Sequence, residues 1–266
     1  MRFLKFLISF IVPVFFGCGT GNTNAISTSI PVEHTLLDSL LRENVSFDGH
    51  VNYQGFIKDS IRFNSYLELL RNNHPNDKNW SKDEQLAYWI NAYNAFTIKL
   101  IIDHYPVKSI KDIKSGVGFV NSVWDIKFIN IEGKNYDLNN IEHSIIRQQF
   151  DEPRIHFAVN CASYSCPDLR SEAYVADRLN QQLEDQTRKF FNDIKKNKVI
   201  SKDKIILSSI LKWYSTDFTR KGIFSRLFGG KGRSRSLIKF VNPYVAVVID
   251  EQAEVEFMDY NWSLNE

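Results

Sequence analysis

The sequence predicts an α+β domain in which helices flank a central antiparallel or mixed sheet. Three observations predict it. A capping-box pattern, Ser81-Lys82-Asp83-Glu84, opens a long run with helical apolar spacing. Arg154 to Asn160 alternates apolar and polar residues as a half-buried strand does. The last third of the chain carries short β-prone segments around turn-like tetrapeptides.

Taken in order, the chain begins with Met1, Arg2 and Lys5 and then an apolar run from Phe6 to Phe16 broken only by Ser9 and Pro13. That is signal-peptide layout, and the run is well short of the roughly 20 residues that cross a bilayer. Phe15-Phe16-Gly17-Cys18 closes it with a small residue before cysteine, similar to a lipobox with Phe15 in place of the usual leucine. Cleavage of residues 1–17 and lipidation of Cys18 are therefore expected, the competing reading being an ordinary secretory signal with an incidental cysteine. Residues 18–32, rich in Gly, Ser, Thr and Asn as far as Thr28, are expected to form a flexible tether, and residues 33–266 one domain. The partner implied is a membrane of the bacterial cell envelope, reached through the lipid on Cys18, with the domain in the periplasm or at the cell surface.

Without residues 1–17 the 33 Lys and Arg residues fall to 31, equal to the 31 Asp and Glu residues. No net field is left to favour nucleic acid as a partner. Apolar content of 43% and aromatic content of 14% are enough for a large core.

After the capping box, Leu86, Ile90, Tyr93, Ile98 and Ile101 predict one buried stripe on a helix that Tyr105-Pro106 stops. Trp89, Tyr93 and Phe96 read as core, whereas Asn91 and Asn94, three apart, either bond backbone or line a cleft. Asn139-Asn140-Ile141-Glu142 predicts a capped helix through Phe150, with Ile141, Ile145 and Ile146 buried and His143 beside Glu142. In the strand expected over Arg154–Asn160, Ile155, Phe157 and Val159 share one face and His156, Ala158 and Asn160 the other. Val175 to Asp193 predicts an amphipathic helix. Val199-Ile200 and Ile205 to Leu207 predict a hairpin, Ile210 to Phe218 a short helix, and Tyr244 to Ile249 with Val255 to Met258 a second hairpin. Gly229-Gly230-Lys231-Gly232-Arg233-Ser234 fails the phosphate-loop pattern, which needs Ser or Thr directly after Gly-Lys. It lies in an acid-free, basic stretch from Phe218 to Ile249, expected to be a solvated loop that anionic lipid or glycan would contact if it has a function.

The segment with most chemical potential is Asn160-Cys161-Ala162-Ser163-Tyr164-Ser165-Cys166-Pro167. A cysteine nucleophile needs a thiolate, an imidazole to stabilise it and serve as base, and a group to orient the ring. Cys161, His143 or His156, and Glu142 supply these types, and backbone N–H groups of the turn after Cys161 are the expected oxyanion hole. Asn91, Asn94, Asn160 and Ser163 are the candidate substrate-binding residues. With Cys18 committed to lipid, Cys161 and Cys166 remain as a pair in an oxidising envelope, so a disulfide between them competes with a reactive thiol. His156 inside an apolar stretch also has a plain reading as a satisfied core residue. No His-x-x-x-His or Cys-x-x-Cys pair occurs among these residues, so neither a metal nor another cofactor is expected.

Leu86-Ala87-Tyr88-Trp89-Ile90-Asn91-Ala92-Tyr93-Asn94-Ala95, Pro106-Val107-Lys108-Ser109-Ile110, Ile141-Glu142-His143 and Arg154 to Ser163 resemble domain-of-unknown-function family 547. Tyr260-Asn261-Trp262-Ser263-Leu264-Asn265 resembles that family's ending, so the resemblance runs from about Val51 onward. A more distant resemblance, to papain and transglutaminase folds, implies thiol hydrolase or acyltransferase chemistry on peptides or amides. In those superfamilies the nucleophile begins a long helix and the histidine follows on a strand, whereas the long helix here carries no cysteine. Two function classes stay open: a cysteine-dependent hydrolase or acyltransferase, and a non-catalytic envelope module that binds peptide or glycan and carries a Cys161–Cys166 disulfide.

Overall fold

The computed structural model describes residues 27–114, 122–219 and 230–266. The expected signal peptide, Cys18 and most of the expected tether lie outside them. Residues 27–32, the end of that tether segment, are fastened to the domain: Ser27 and Ser29 hydroxyls donate to the His74 carbonyl at 2.9 and 2.6 Å, and the Trp80 indole N–H donates to the Ser29 carbonyl at 3.0 Å.

The architecture is α+β, but the expected central sheet is replaced by a central helix. Helices α1 (Thr35–Asn44), α2 (Tyr53–Lys58) and α3 (Ser60–Arg71) pack round α4 (Lys82–Asp103). The capping box forms as the sequence implies: the Glu84 N–H donates to Ser81 Oγ at 3.3 Å, and the Ser81 N–H donates to the Glu84 carboxylate at 2.7 Å. Helix α4 buries more than a stripe, because every residue from Gln85 to Ile98 is buried. Such all-round burial belongs to a helix inside the core rather than on its surface.

Strands β1 (Ile129–Ile131) and β2 (Lys134–Tyr136) form a small antiparallel pair. Next come π-helical turns over Asn140–Ile146, which run into α5 (Arg147–Gln149). Ile141, Ile145 and Ile146 are buried as expected, but Asp137 rather than Asn139 caps the element, its carboxylate accepting from the Asn140 N–H at 2.6 Å. Asn139 instead donates to Asp125 at 2.6 Å.

Residues 154–160 do not form a strand. Pro153–Phe157 is a 3-10 helix. Pro153 presets its first turn, and the Glu152 carboxylate accepts both the Arg154 N–H at 3.0 Å and its guanidinium at 2.6 Å. Local capping thus outweighs the alternation, and with Ile155, His156, Phe157, Ala158 and Val159 all buried there is no solvent face for alternation to mark.

Helix α6 (Leu179–Asn192) is followed by β3 (Lys198–Ser201) and β4 (Lys204–Leu207), the expected antiparallel hairpin. Helices α7 (Ser209–Trp213) and α8 (Ser215–Phe218) then occupy the span expected to be one short helix. The part of the expected basic loop over residues 220–229 lies outside the described residues; from there Gly230–Val241 is helix α9 rather than loop, with Leu237, Ile238 and Val241 buried. The second expected hairpin is absent. Strand β5 (Glu254–Phe257) pairs parallel with β4, while the Asn242 side chain takes both backbone groups of Ile249, donating to its carbonyl at 2.9 Å and accepting its N–H at 2.8 Å. That bracket leaves Ile249 no backbone group for a ladder. Among the described residues no helix is long and apolar enough to cross a membrane.

Two apolar clusters result: one round α4, and one joining Phe157, Phe190, Phe191, Leu207, Leu211, Phe218 and Leu237. The last residues strap them externally. The Leu264 N–H donates to the Lys108 carbonyl and the Val51 N–H to the Asn265 carbonyl, both at 2.9 Å.

Candidate functional site

Where the two clusters meet, a cavity of about 170 Å³ opens between Tyr93 of α4, Ile210 of α7, Tyr214 just after α7, and the loop after the 3-10 helix. Its wall includes Glu142, His143, His156, Cys161 and Cys166, so every candidate catalytic residue named from the sequence reaches one space. Trp124, Trp213, Tyr260 and Trp262 form an aromatic side to it, with Trp213 and Trp262 stacked 5.8 Å apart.

Cys161 is partly exposed and Cys166 buried. Their sulfurs are 2.9 Å apart, well beyond the ~2.05 Å of a bonded pair. Ser163 Oγ lies 3.1 Å and the Tyr260 hydroxyl 3.2 Å from Cys161 Sγ, and these two hydroxyls are 2.9 Å from each other. Hydrogen bonding by Cys166 above all, against the effect of burial, and then by Ser163 and Tyr260 lowers the Cys161 thiol to about 7. Cys166 moves the opposite way, pushed up by burial and then by its neighbour. A thiolate at Cys161 is the species that such donors favour.

Among the described residues no hydrogen bond joins either histidine to Cys161, although all three line the cavity. Each ring is nevertheless fixed. The His156 Nε2 lies 2.8 Å from Asp217 Oδ2, and Arg147 grips the same carboxylate with two bonds of 2.6 and 2.9 Å. Although burial opposes ionisation, the bonds from His156 and Arg147 hold the Asp217 carboxyl well below the usual carboxylate range. An ionised carboxylate only accepts, so His156 carries its proton on Nε2 and keeps its lone pair on Nδ1. Burial pushes His156 down, which keeps the ring neutral. The Arg147 Nη1 lies 2.9 Å from His143 Nδ1. Since guanidinium only donates, His143 has its lone pair on Nδ1 and its proton on Nε2. One histidine is thereby set as acceptor at Nδ1 and the other as donor at Nε2. Tyr214 stacks on His156 at 4.1 Å, and its phenol is pushed up by burial and then by the Glu142 carboxylate.

Of the N–H groups expected to form an oxyanion hole, four are already bonded, while that of Ser163 acts on Cys161 and helps to lower its thiol. The Cys161 N–H donates to Cys166 Sγ, the Ala162 N–H to Asn160 Oδ1, the Tyr164 N–H to the Ser263 carbonyl and the Ser165 N–H to the Asn261 carbonyl. The loop spends its donors on its own shape, which includes Ala162 at a left-handed φ of 60°. The polar residues assigned to substrate are occupied in the same way. Asn91 brackets Tyr174, donating to its carbonyl at 2.8 Å and accepting its N–H at 3.0 Å. Asn94 donates to the Ala158 carbonyl at 3.0 Å and accepts the Asn160 N–H at 2.8 Å. Asn160 donates to the Pro167 carbonyl at 2.7 Å. Asn94 thus fixes the start of the loop to α4, Asn91 fixes the chain at Tyr174 to the same helix, and Asn160 closes the loop on itself; none of the three lines this cavity, and Ser163 meets Cys161 and Tyr260.

Sequence reasoning passed over Asp217, Arg147, Tyr214 and Tyr260. Arg147 sits four residues after His143, a helical spacing that the sequence displays. Asp217 and Tyr260 are joined to the site only by folding. Among the described residues no three His, Cys, Asp or Glu side chains converge as a metal site.

Residues 78–191 match the model of a family described as "Protein of unknown function, DUF547". The match includes Tyr93, Glu142, His143, His156, Cys161 and Cys166 but is narrower than the stretch from Val51 to Asn265 over which the sequence resembles that family. No curated protein and no solved structure proved similar to the chain.

Proposed function

We propose that this chain is a lipid-anchored envelope protein whose cavity performs cysteine-dependent acyl transfer, cleaving peptide or amide bonds in the manner of papain-like and transglutaminase-like enzymes. The carrying observation is the lowered thiol of Cys161 facing one cavity with His143, His156 and Glu142. In this reading His156 takes the Cys161 proton at Nδ1, the resulting thiolate attacks the carbonyl carbon, and the C–N bond breaks as that proton passes to the leaving amine. His143, a donor at Nε2, stabilises the developing oxyanion beside the loop, where four of the N–H groups are already bonded. His156, oriented by Asp217 and Arg147, accepts and returns the proton through Nδ1 as water or a second amine takes the acyl group. The gap between Cys161 and the histidines is where the reacting group sits. The anchor is Cys18, which holds the domain at the periplasmic face or cell surface.

Trapping tests this directly. Reduced protein mixed with aminoacyl-coumarin amides and quenched in acid should carry an acyl group on Cys161, and Cys161→Ala should lose both adduct and turnover. Turnover that survives in Cys161→Ala contradicts the proposal. The absence of a histidine–thiol bond favours a second reading, a module that binds peptide or glycan against Trp124, Trp213 and Trp262. That reading predicts ligand-dependent Trp fluorescence with no adduct at any pH.

A further inference from the structure

The loop from Cys161 to Cys166 is held from every side. Asn160 pins its start to Pro167, the Cys166 N–H donates to the Ser163 carbonyl at 3.0 Å, and the closing strap takes the Tyr164 N–H at 2.7 Å. The result is a facing pair of sulfurs at 2.9 Å, one partly exposed on the cavity and one 4% exposed behind it. A bond between them needs a movement of less than about 1 Å. Their acidities are split in the sense that exchange chemistry uses, the outer thiol lowered and the inner one raised.

We infer that Cys161 and Cys166 are a dithiol–disulfide couple, with Cys161 attacking a small disulfide that enters the cavity and Cys166 resolving the mixed disulfide. The oxidant is a low-molecular-weight disulfide of the glutathione class. The Cys161 thiolate attacks one of its sulfurs, the new S–S bond forms, and the first thiolate leaves. Cys166 gives up its proton and attacks Cys161 Sγ, and the second thiolate leaves. Two protein thiols are oxidised to one disulfide, one small disulfide is reduced to two thiols, and the protons of Cys161 and Cys166 end on those two products. The couple does not depend on what the cavity acylates. A further consequence does rest on the proposed acyl transfer: oxidation removes its nucleophile, and reduction restores it.

The test uses the full chain, reduced, freed of reductant, incubated with oxidised glutathione and analysed by peptide mapping, which separates any signal from Cys18. The expected product is a Cys161–Cys166 disulfide with no retained glutathione. Iodoacetamide labelling of Cys161 should fall at least tenfold and return with dithiothreitol. Cys166→Ser should instead keep one glutathione on Cys161. Wild-type protein that stops at the mixed disulfide, or stays dithiol while Cys166→Ser is glutathionylated, overturns the couple. If Cys166→Ser does not fold, the wild-type map alone decides: an internal disulfide supports the couple, and a mixed disulfide or unchanged thiols overturn it. Acyl trapping on reduced protein is a separate readout, so either idea can fail alone.

Discussion

Tyr260 and Asp217 show how much single side chains contribute to the site. The Tyr260 hydroxyl lies 3.2 Å from Cys161 Sγ and is one of the groups lowering that thiol. Tyr260→Phe should raise the pH midpoint of Cys161 alkylation by up to roughly one unit, since a hydrogen bond to a charged group contributes about 1.5 kcal/mol and one unit is about 1.4 kcal/mol. An unchanged midpoint would remove Tyr260 from the account. Asp217→Asn leaves His156 without its carboxylate and Arg147 without its ion pair. Because the pair is part-exposed, the expected loss is about 1–2 kcal/mol by urea unfolding rather than the larger cost of a fully buried one. Asp217 is depressed in the folded state, so its contribution is complete above the ordinary carboxylate pKa of about 4 and is lost as pH falls below it. The stability gap between wild type and Asp217→Asn should therefore narrow below about pH 4.

At the scale of elements, α4 is both the core and the mount for the site. Asn94→Ala would leave a buried carbonyl at Ala158 and a buried N–H at Asn160 unpaired, costing about 2–4 kcal/mol and reducing Cys161 alkylation in the folded protein. Ser81→Ala, at the far end of the same helix, should cost only about 1 kcal/mol and leave alkylation unchanged. Equal effects on Cys161 from the two variants would show that Asn94 acts only through global stability. The capping box was legible because its partners are three residues apart. Residues 154–160 alternate as a strand does, but Pro153 and the Glu152 cap turn Pro153–Phe157 into a 3-10 helix, and local capping outweighs the alternation. Helix α9 was hidden by its basic residues, and only Leu237, Ile238 and Val241 marked its buried side.

For the molecule as a whole, the site is a seam. Tyr93, Glu142, Tyr214, Tyr260 and the pair His156 and Cys161 come from five stretches of chain and meet where the two apolar clusters adjoin. Residue types let the sequence nominate Cys161, His143, His156 and Glu142, but not Asp217, which meets His156 across 61 positions, or Tyr260, which meets Cys161 across 99. A polar group in an apolar element suggests a cleft, and Asn91, Asn94 and Asn160 are such groups; in the fold each of them brackets backbone. In the proposed function this seam makes Cys161 a nucleophile. The most direct measurement is the pH–rate profile of iodoacetamide alkylation on reduced protein, resolved by peptide mapping. The expected Cys161 midpoint is near 7, with Cys166 unlabelled well above it. A Cys161 midpoint at the ordinary thiol value of about 8.5, or Cys166 reacting first, would contradict it.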